Sequence, residues 1–364
     1  MTPSSRPARR HLRRLRAVVV LAGAATLLAA APASAHERWF ADEADGGDWS
    51  FFLRPVPLLL VAAVVAVTVV WRLVGARLPR PELAVLSPLG RLAPYVPRLL
   101  AIHLGVALLA LAVSGSFISP AVPLRDVPGG DAAGVLEAAI GIWLVTGIRL
   151  RWAAVGVALL GPLALLAAGP VAVLENAAIL GIALFVAVLP PSDGTFGRVD
   201  ASPGRLRVAM LLLKGLVAVT LATLAFSEKF TNPELARNTM HEFPKLDVFA
   251  LVGLHVPTDT FILVAGTVEL LFGALVLSGA IPQVATLVAM VPFNATLFLF
   301  GTTEVIGHLP VYGLFLTLLV YGSNPATAGA IPWLPSRGDV AGWVRAVRRP
   351  RAAVGSPAPV PDAV

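Results

Sequence analysis

Six ionisable side chains stand within long apolar runs of this chain: Glu137, Glu175, Lys214, Glu269, Glu304 and His308. His103 lies nearer the end of another run, Glu228-Lys229 closes a further one, and Asn176 and Asn294 add uncharged polar groups. A charge held at the centre of a hydrocarbon layer costs about 2.5–3.5 kcal/mol on insertion scales, so such residues face a bundle interior and take partners. Carboxylates grouped with Lys229 and His308 can bind a cation, relay protons or hydrogen-bond a quinone head group. The same groups can instead fix helix packing, each Glu pairing with a helix-end amide or a neighbouring Asn, Lys or His. For Glu137 and Glu269 both readings stand open. Glu304, near a helix start, suits a dipole-capping role, and Lys214 and His103 suit snorkelling side chains. The candidate ligand-pocket residues are Glu137, Glu228, Lys229, Glu269, Asn294, Glu304 and His308.

A second pattern is His36-Glu37-Arg38-Trp39-Phe40. It follows an Arg-rich stretch over 6–16, an apolar stretch from Ala17 to Ala31 and the small-residue site Ala33-Ser34-Ala35, which together predict a cleaved signal peptide over 1–35. His36 would then open the mature chain, and its amine and imidazole nitrogens suit copper, with His308, Glu304 or His241 as a further ligand. Trp39 and Phe40 also suit plain anchorage at a membrane surface. Cysteine is absent, which excludes thiol catalysis, Cys-ligated zinc and iron–sulfur centres within the chain. Neither a Ser-His-Asp arrangement, a Gly-rich phosphate loop nor an H-E-x-x-H motif is present.

The elements that must position these residues are membrane helices. Of 364 residues, 57% are hydrophobic and 13% charged, too few charges to cover a soluble domain. The net charge of +7 owes much to six arginines before Ala35; without them 22 basic residues face 21 acidic ones, which leaves no basic patch for nucleic acid. Apolar runs long enough to cross occur at about 55–75, 97–118, 132–150, 152–169, 171–190, 206–227, 259–280, 283–300 and 304–322. Several end at Pro or Gly, and the fourth and fifth meet at Gly169-Pro170, which predicts a helical hairpin.

Basic residues concentrate in alternate loops: Arg77, Arg80, Arg91 and Arg98; Arg149 and Arg151; Arg198, Arg205 and Arg207; then Arg337 and the arginines after it. That asymmetry predicts a multi-pass plasma-membrane protein with 36–54 outside and a disordered tail over 336–364 inside. Glu137, Glu175, Glu269, Glu304, His308 and Glu228-Lys229 then gather in the outer half of the membrane, which predicts an outward-facing polar pocket.

The spacing also repeats. Glu137, Gly141, Gly147, Gly169, Gly181 and Leu184 find identical residues 132 positions on, and Ser114, Phe117 and Pro120 find theirs 113 positions on. The sequence therefore predicts two parallel-repeat four-helix units, 97–195 and 206–325, preceded by one extra span at 55–75. The second unit carries an insert near Asn238 to His255, whose Leu246–Val252 suits a helix lying in the outer interface.

Residues Phe226-Ser227-Glu228-Lys229-Phe230, Gly266-Thr267-Val268-Glu269-Leu270-Leu271-Phe272-Gly273, Pro292-Phe293-Asn294-Ala295-Thr296 and Gly307-His308-Leu309-Pro310 resemble the DoxX/DoxD-like membrane family. The resemblance covers mainly 206–325, with a degraded echo in 97–195, where Gly115-Ser116 replaces Glu228-Lys229. It implies a four-helix fold and membrane subunits of quinone-reducing or redox-defence systems. The resulting expectation is an all-α polytopic protein of about nine transmembrane helices. Its role would be that of a membrane subunit of a quinone-linked or metal-linked redox system, with quinone or copper as cofactor and a redox partner subunit. A transporter or metal-handling permease, and a non-catalytic membrane scaffold for a partner enzyme, are the rival expectations.

Overall fold

The computed structural model describes residues 37–40, 47–193, 197–251 and 253–341. The expected signal peptide, His36 and the tail from 342 onward lie outside the described residues. Helices occupy the apolar runs: α1 (Pro55–Gly75), α2 (Val96–Val113), α3 (Gly130–Thr146), α4 (Leu150–Glu175), α5 (Ala177–Val188) and α6 (Pro203–Leu224). They continue as α7 (Pro233–Glu242), α8 (Thr258–Ser278), α9 (Pro282–Phe300) and α10 (Thr302–Ser323).

Six helical stretches among the described residues are long and apolar enough to cross a membrane: Pro55–Gly75, Ala84–Val113, Leu150–Glu175, Pro203–Phe230, Thr258–Ser278 and Thr302–Ser323. The chain is therefore a polytopic, predominantly helical protein suited to a lipid bilayer. Of the other apolar helices, α9 covers its predicted run, whereas α3 and α5 are shorter than the sequence predicts. At 17 residues, α3 is roughly 26 Å long, short of a hydrocarbon layer of about 30 Å. The run from 171 onward breaks at Asn176, whose backbone leaves the helix (φ −109°, ψ 17°), so α5 keeps only 12 residues.

The run from 97 also ends early, at Val113. A short antiparallel ribbon follows, β1 (Ser116–Phe117) with β2 (Ser119–Pro123), turning at Ile118, whose φ is +53°. In the insert, the described part of the expected interfacial segment forms only a 3-10 turn (Pro244–Leu246) and one helical turn (Val248–Leu251). The longer helix α7 leads into the insert; it starts where Asn232 accepts the Leu235 N–H and Pro233 sets the first helical turn.

Helix packing follows one pattern in both halves. In the first, α2 packs on α3, α3 on α4, α4 on α5 and α5 back on α2; in the second, α6, α8, α9 and α10 do the same in that order. The halves join through α5 against α6 and α10 against α2. One apolar core runs through both, from Val96 and Leu100 to Leu314 and Ile331, in place of two separate bundles.

Backbone details recur at the 132-residue separation. Gly147 and Gly279 end helices with positive φ, and Arg149 and Ile281, at φ +48° and +50°, begin the next ones. Gly169 (φ 77°, ψ 179°) kinks α4 within its length and Gly301 (φ 66°, ψ −140°) turns the chain between α9 and α10, both in a region nearly closed to residues with a Cβ. Gly181 faces Leu213 and Leu216, while Gly313 faces Leu100 and His103.

One end of the bundle is rich in arginine, each placed on helix-terminal carbonyls. Arg98 donates to Leu144 O and Val145 O, Arg72 to Ser278 O, Arg151 to Ala187 O and Arg205 to Val188 O. Cations suit these C-terminal ends, where the helix dipole is negative. Lys214 is buried at the same end and donates to Ile331 O.

A candidate buried charge centre

Lys229 stands at the far end of α6, in a single π-helical turn, Ala225–Phe230. The widened turn brings the consecutive residues Glu228 and Lys229 both inward, each 1% exposed. The Lys229 ammonium lies 3.2 Å from Glu269 Oε2 on α8 and 3.4 Å from Glu228 Oε2. Gly266, one turn before Glu269, lets α8 come close: a Cβ there would sit 3.2 Å from Lys229 Cβ and the Phe230 ring.

A third carboxylate arrives from outside the bundle. Glu37, in the 3-10 turn Glu37–Trp39, places Oε1 3.4 Å from Lys229 Nζ. Its backbone N–H donates to Glu228 Oε2 at 3.2 Å, and that of Arg38 donates to Glu228 Oε1 at 3.5 Å. The Arg38 guanidinium donates to Ser227 O and lies 3.3 Å from Glu175 Oε1, which also accepts the Ser227 hydroxyl at 2.6 Å. Burial pushes the Glu37 carboxyl up to about 8; Lys229 opposes the rise, while Glu228 and Glu269 reinforce it.

Beside this network, His308 Nδ1 lies 3.3 Å from Glu304 Oε1, one turn earlier on α10. The His308 ring is bracketed by Trp39, with centroids 5.4 Å apart, and Phe293, at 4.8 Å. Trp39 rests so closely on Gly307 that a Cβ there would overlap its ring. Phe40 stacks on Phe300 at 4.2 Å and meets Phe243 edge-on.

The structure thus gathers Glu228, Lys229 and Glu269 from the sequence-level candidates, with Glu304 and His308 alongside. It does not gather all of them. Glu137 is fully buried in the first half, where Oε1 accepts the Ile118 N–H at 3.0 Å and Oε2 has no hydrogen-bond partner. Asn294 donates to Met290 O on its own helix. The centre is also closed rather than an open pocket, because the Glu37–Phe40 segment lies over it and every charged group at Lys229 is buried.

Glu37, Arg38 and Ser227 are members that sequence reasoning missed, and Glu175, placed in the outer polar group, was left out of the candidate pocket. Glu37 and Arg38 stand next to Trp39 and Phe40, which read as surface anchors. For Glu175 the signal was its place at the same depth as Glu304; the repeat hid it, since the aligned position 307 is glycine.

Among the described residues no group of three or more His, Asp or Glu side chains could hold a metal ion. His36 lies outside them, and the Glu304–His308 pair supplies two donors. Among the described residues, therefore, no copper centre is assembled. No protein-family model matches the chain, nor does any curated protein or solved structure.

Proposed function

We propose that the Lys229 centre exchanges protons as part of the membrane subunit of a quinone-linked redox system. The observation that carries this reading is the charge count: three buried carboxylates, Glu37, Glu228 and Glu269, within 3.4 Å of one ammonium. Three carboxylates beside one ammonium out of water leave negative charge uncompensated, which favours protons held within the cluster. A quinone would supply two-electron, two-proton chemistry. The residues present suit its head group once the Glu37–Phe40 segment moves aside: Lys229 donates hydrogen bonds, Glu269 and His308 hold or pass protons, and Phe293 flanks His308.

The similarity to DoxX-like sequences in 206–325 agrees with this reading, and so does the centring of the charge cluster in that half. The matched backbone turns at a 132-residue separation support descent of the two halves from one four-helix unit. The arginine-rich end supports a cytoplasmic placement of that end, with Lys229 toward the outer leaflet of a plasma membrane.

A second reading, a permease, is favoured by the repeated neighbour pattern about α2, α5, α6 and α10, which suits two halves that rock against each other. The test is the purified full chain in lipid nanodiscs, titrated with a short-chain benzoquinone. Saturable binding, weakened at least tenfold in Glu269→Gln and His308→Ala, supports the redox reading. Absence of binding, with solute flux in vesicles, rejects it in favour of the permease.

A further inference from the structure

Lys229, Glu228 and Glu269 are carried by helices of the bundle, whereas Glu37 rides on a three-residue turn. We propose that Glu37–Phe40 is a strap, held over Lys229 while the Glu37 carboxyl keeps its proton and released when that proton leaves.

The strap has two kinds of attachment. The aromatic one is independent of charge: Trp39 on Gly307 and against His308, Phe40 on Phe300 and Phe243. The polar one joins the strap to Glu228 through the backbone N–H groups of Glu37 and Arg38. The charged groups that face Glu37 are Lys229 and Glu228 from the π turn and Glu269 from α8. Arg38, on the same turn, is engaged with Glu175 at the end of α4. Glu304 and His308 stand behind Trp39 on α10. On α7, which packs against the turn, Arg237 is tied to Glu234 and Asp259, and β2 brings no charged side chain.

An ionised Glu37 adds a third negative charge beside one ammonium. Glu37 Oε2, buried without a hydrogen-bond partner, gives that charge nothing in return. Of the three carboxylates only Glu37 can leave without unfolding a helix. The sign follows from linkage: the docked carboxyl, pushed up to about 8 from an ordinary 4.5, binds its proton more tightly than the undocked one. Docking is therefore strongest below 4.5, weakens about tenfold per pH unit up to about 8, and levels off above. Where Lys229 is the working centre proposed above, the strap sets access to it; the strap itself is tested with no ligand present.

The experiment is hydrogen–deuterium exchange of the full chain in lipid nanodiscs, following the Glu37, Arg38 and Phe40 amides and correcting for the intrinsic pH dependence of exchange. In the unaltered chain, protection should fall by roughly tenfold per unit between about pH 5 and 8. Glu37→Gln should keep protection flat with pH. Gly307→Ala, which displaces Trp39, should lower protection by one factor at every pH. Protection that ignores pH in the unaltered chain, or a Glu37→Gln slope equal to it, overturns the proposal. Unaltered protection in Gly307→Ala overturns the aromatic anchor.

Discussion

The Glu37 carboxylate lies 3.4 Å from the Lys229 ammonium, against a pair of carboxylates that the helices already provide. One cation thus organises three acids from three separate stretches of chain, and its removal strands all of them in a buried site.

Lys229→Met should be among the most damaging single changes, at about 3–5 kcal/mol, because breaking a buried pair leaves uncompensated charge. Glu269→Gln, which leaves two carboxylates for Lys229, should cost about 1–3 kcal/mol. Unfolding equilibria in mixed micelles would rank them; equal effects would mean that Lys229 is not the hub.

Glu137 behaves differently. Glu137→Gln keeps an acceptor for the Ile118 N–H and should stay within about 1 kcal/mol of the parent, whereas Glu137→Leu orphans that donor at about 1–3 kcal/mol. The same micelle titration separates the two, and a Gln variant as unstable as the Leu variant would contradict the geometry.

Gly169→Ala and Gly301→Ala should each cost about 1–3 kcal/mol, since both positions hold backbone angles that a Cβ disfavours. Gly161→Ala and Gly215→Ala are the controls. Nothing lies within 4 Å of the added methyl and the backbone is helical, so a gain of about 0.4–1 kcal/mol is expected in melting experiments.

Arg98→Met removes two hydrogen bonds to Leu144 O and Val145 O, each charge-assisted and worth about 1.5–3 kcal/mol. Arg98→Lys, lacking the fork that reaches both carbonyls, should recover less than half of the loss, as read by thermal stability in detergent.

Much of the helical framework was legible because apolar length and Pro or Gly stops act locally: Gly169 breaks the helical geometry of α4 where the sequence placed a turn. Glu228-Lys229 and Glu269 were legible as costly polar residues at one depth. The early end of α2, the break at Asn176 and the ribbon at Ile118 were not, since each needs backbone angles that hydropathy does not encode. Glu37 escaped notice because its burial comes from Trp39 and Phe40 docking on residues distant in sequence, which no local pattern records.

The packing of α5 on α6, matched by α10 on α2, leaves the ring of helices without a seam. A cut in the connection between Val188 and Pro203 would give two fragments, each with two bare flanks that the other fits. That is the arrangement two half-length chains would make about a two-fold axis, so fragments made separately should find each other in the bilayer and rebuild the whole.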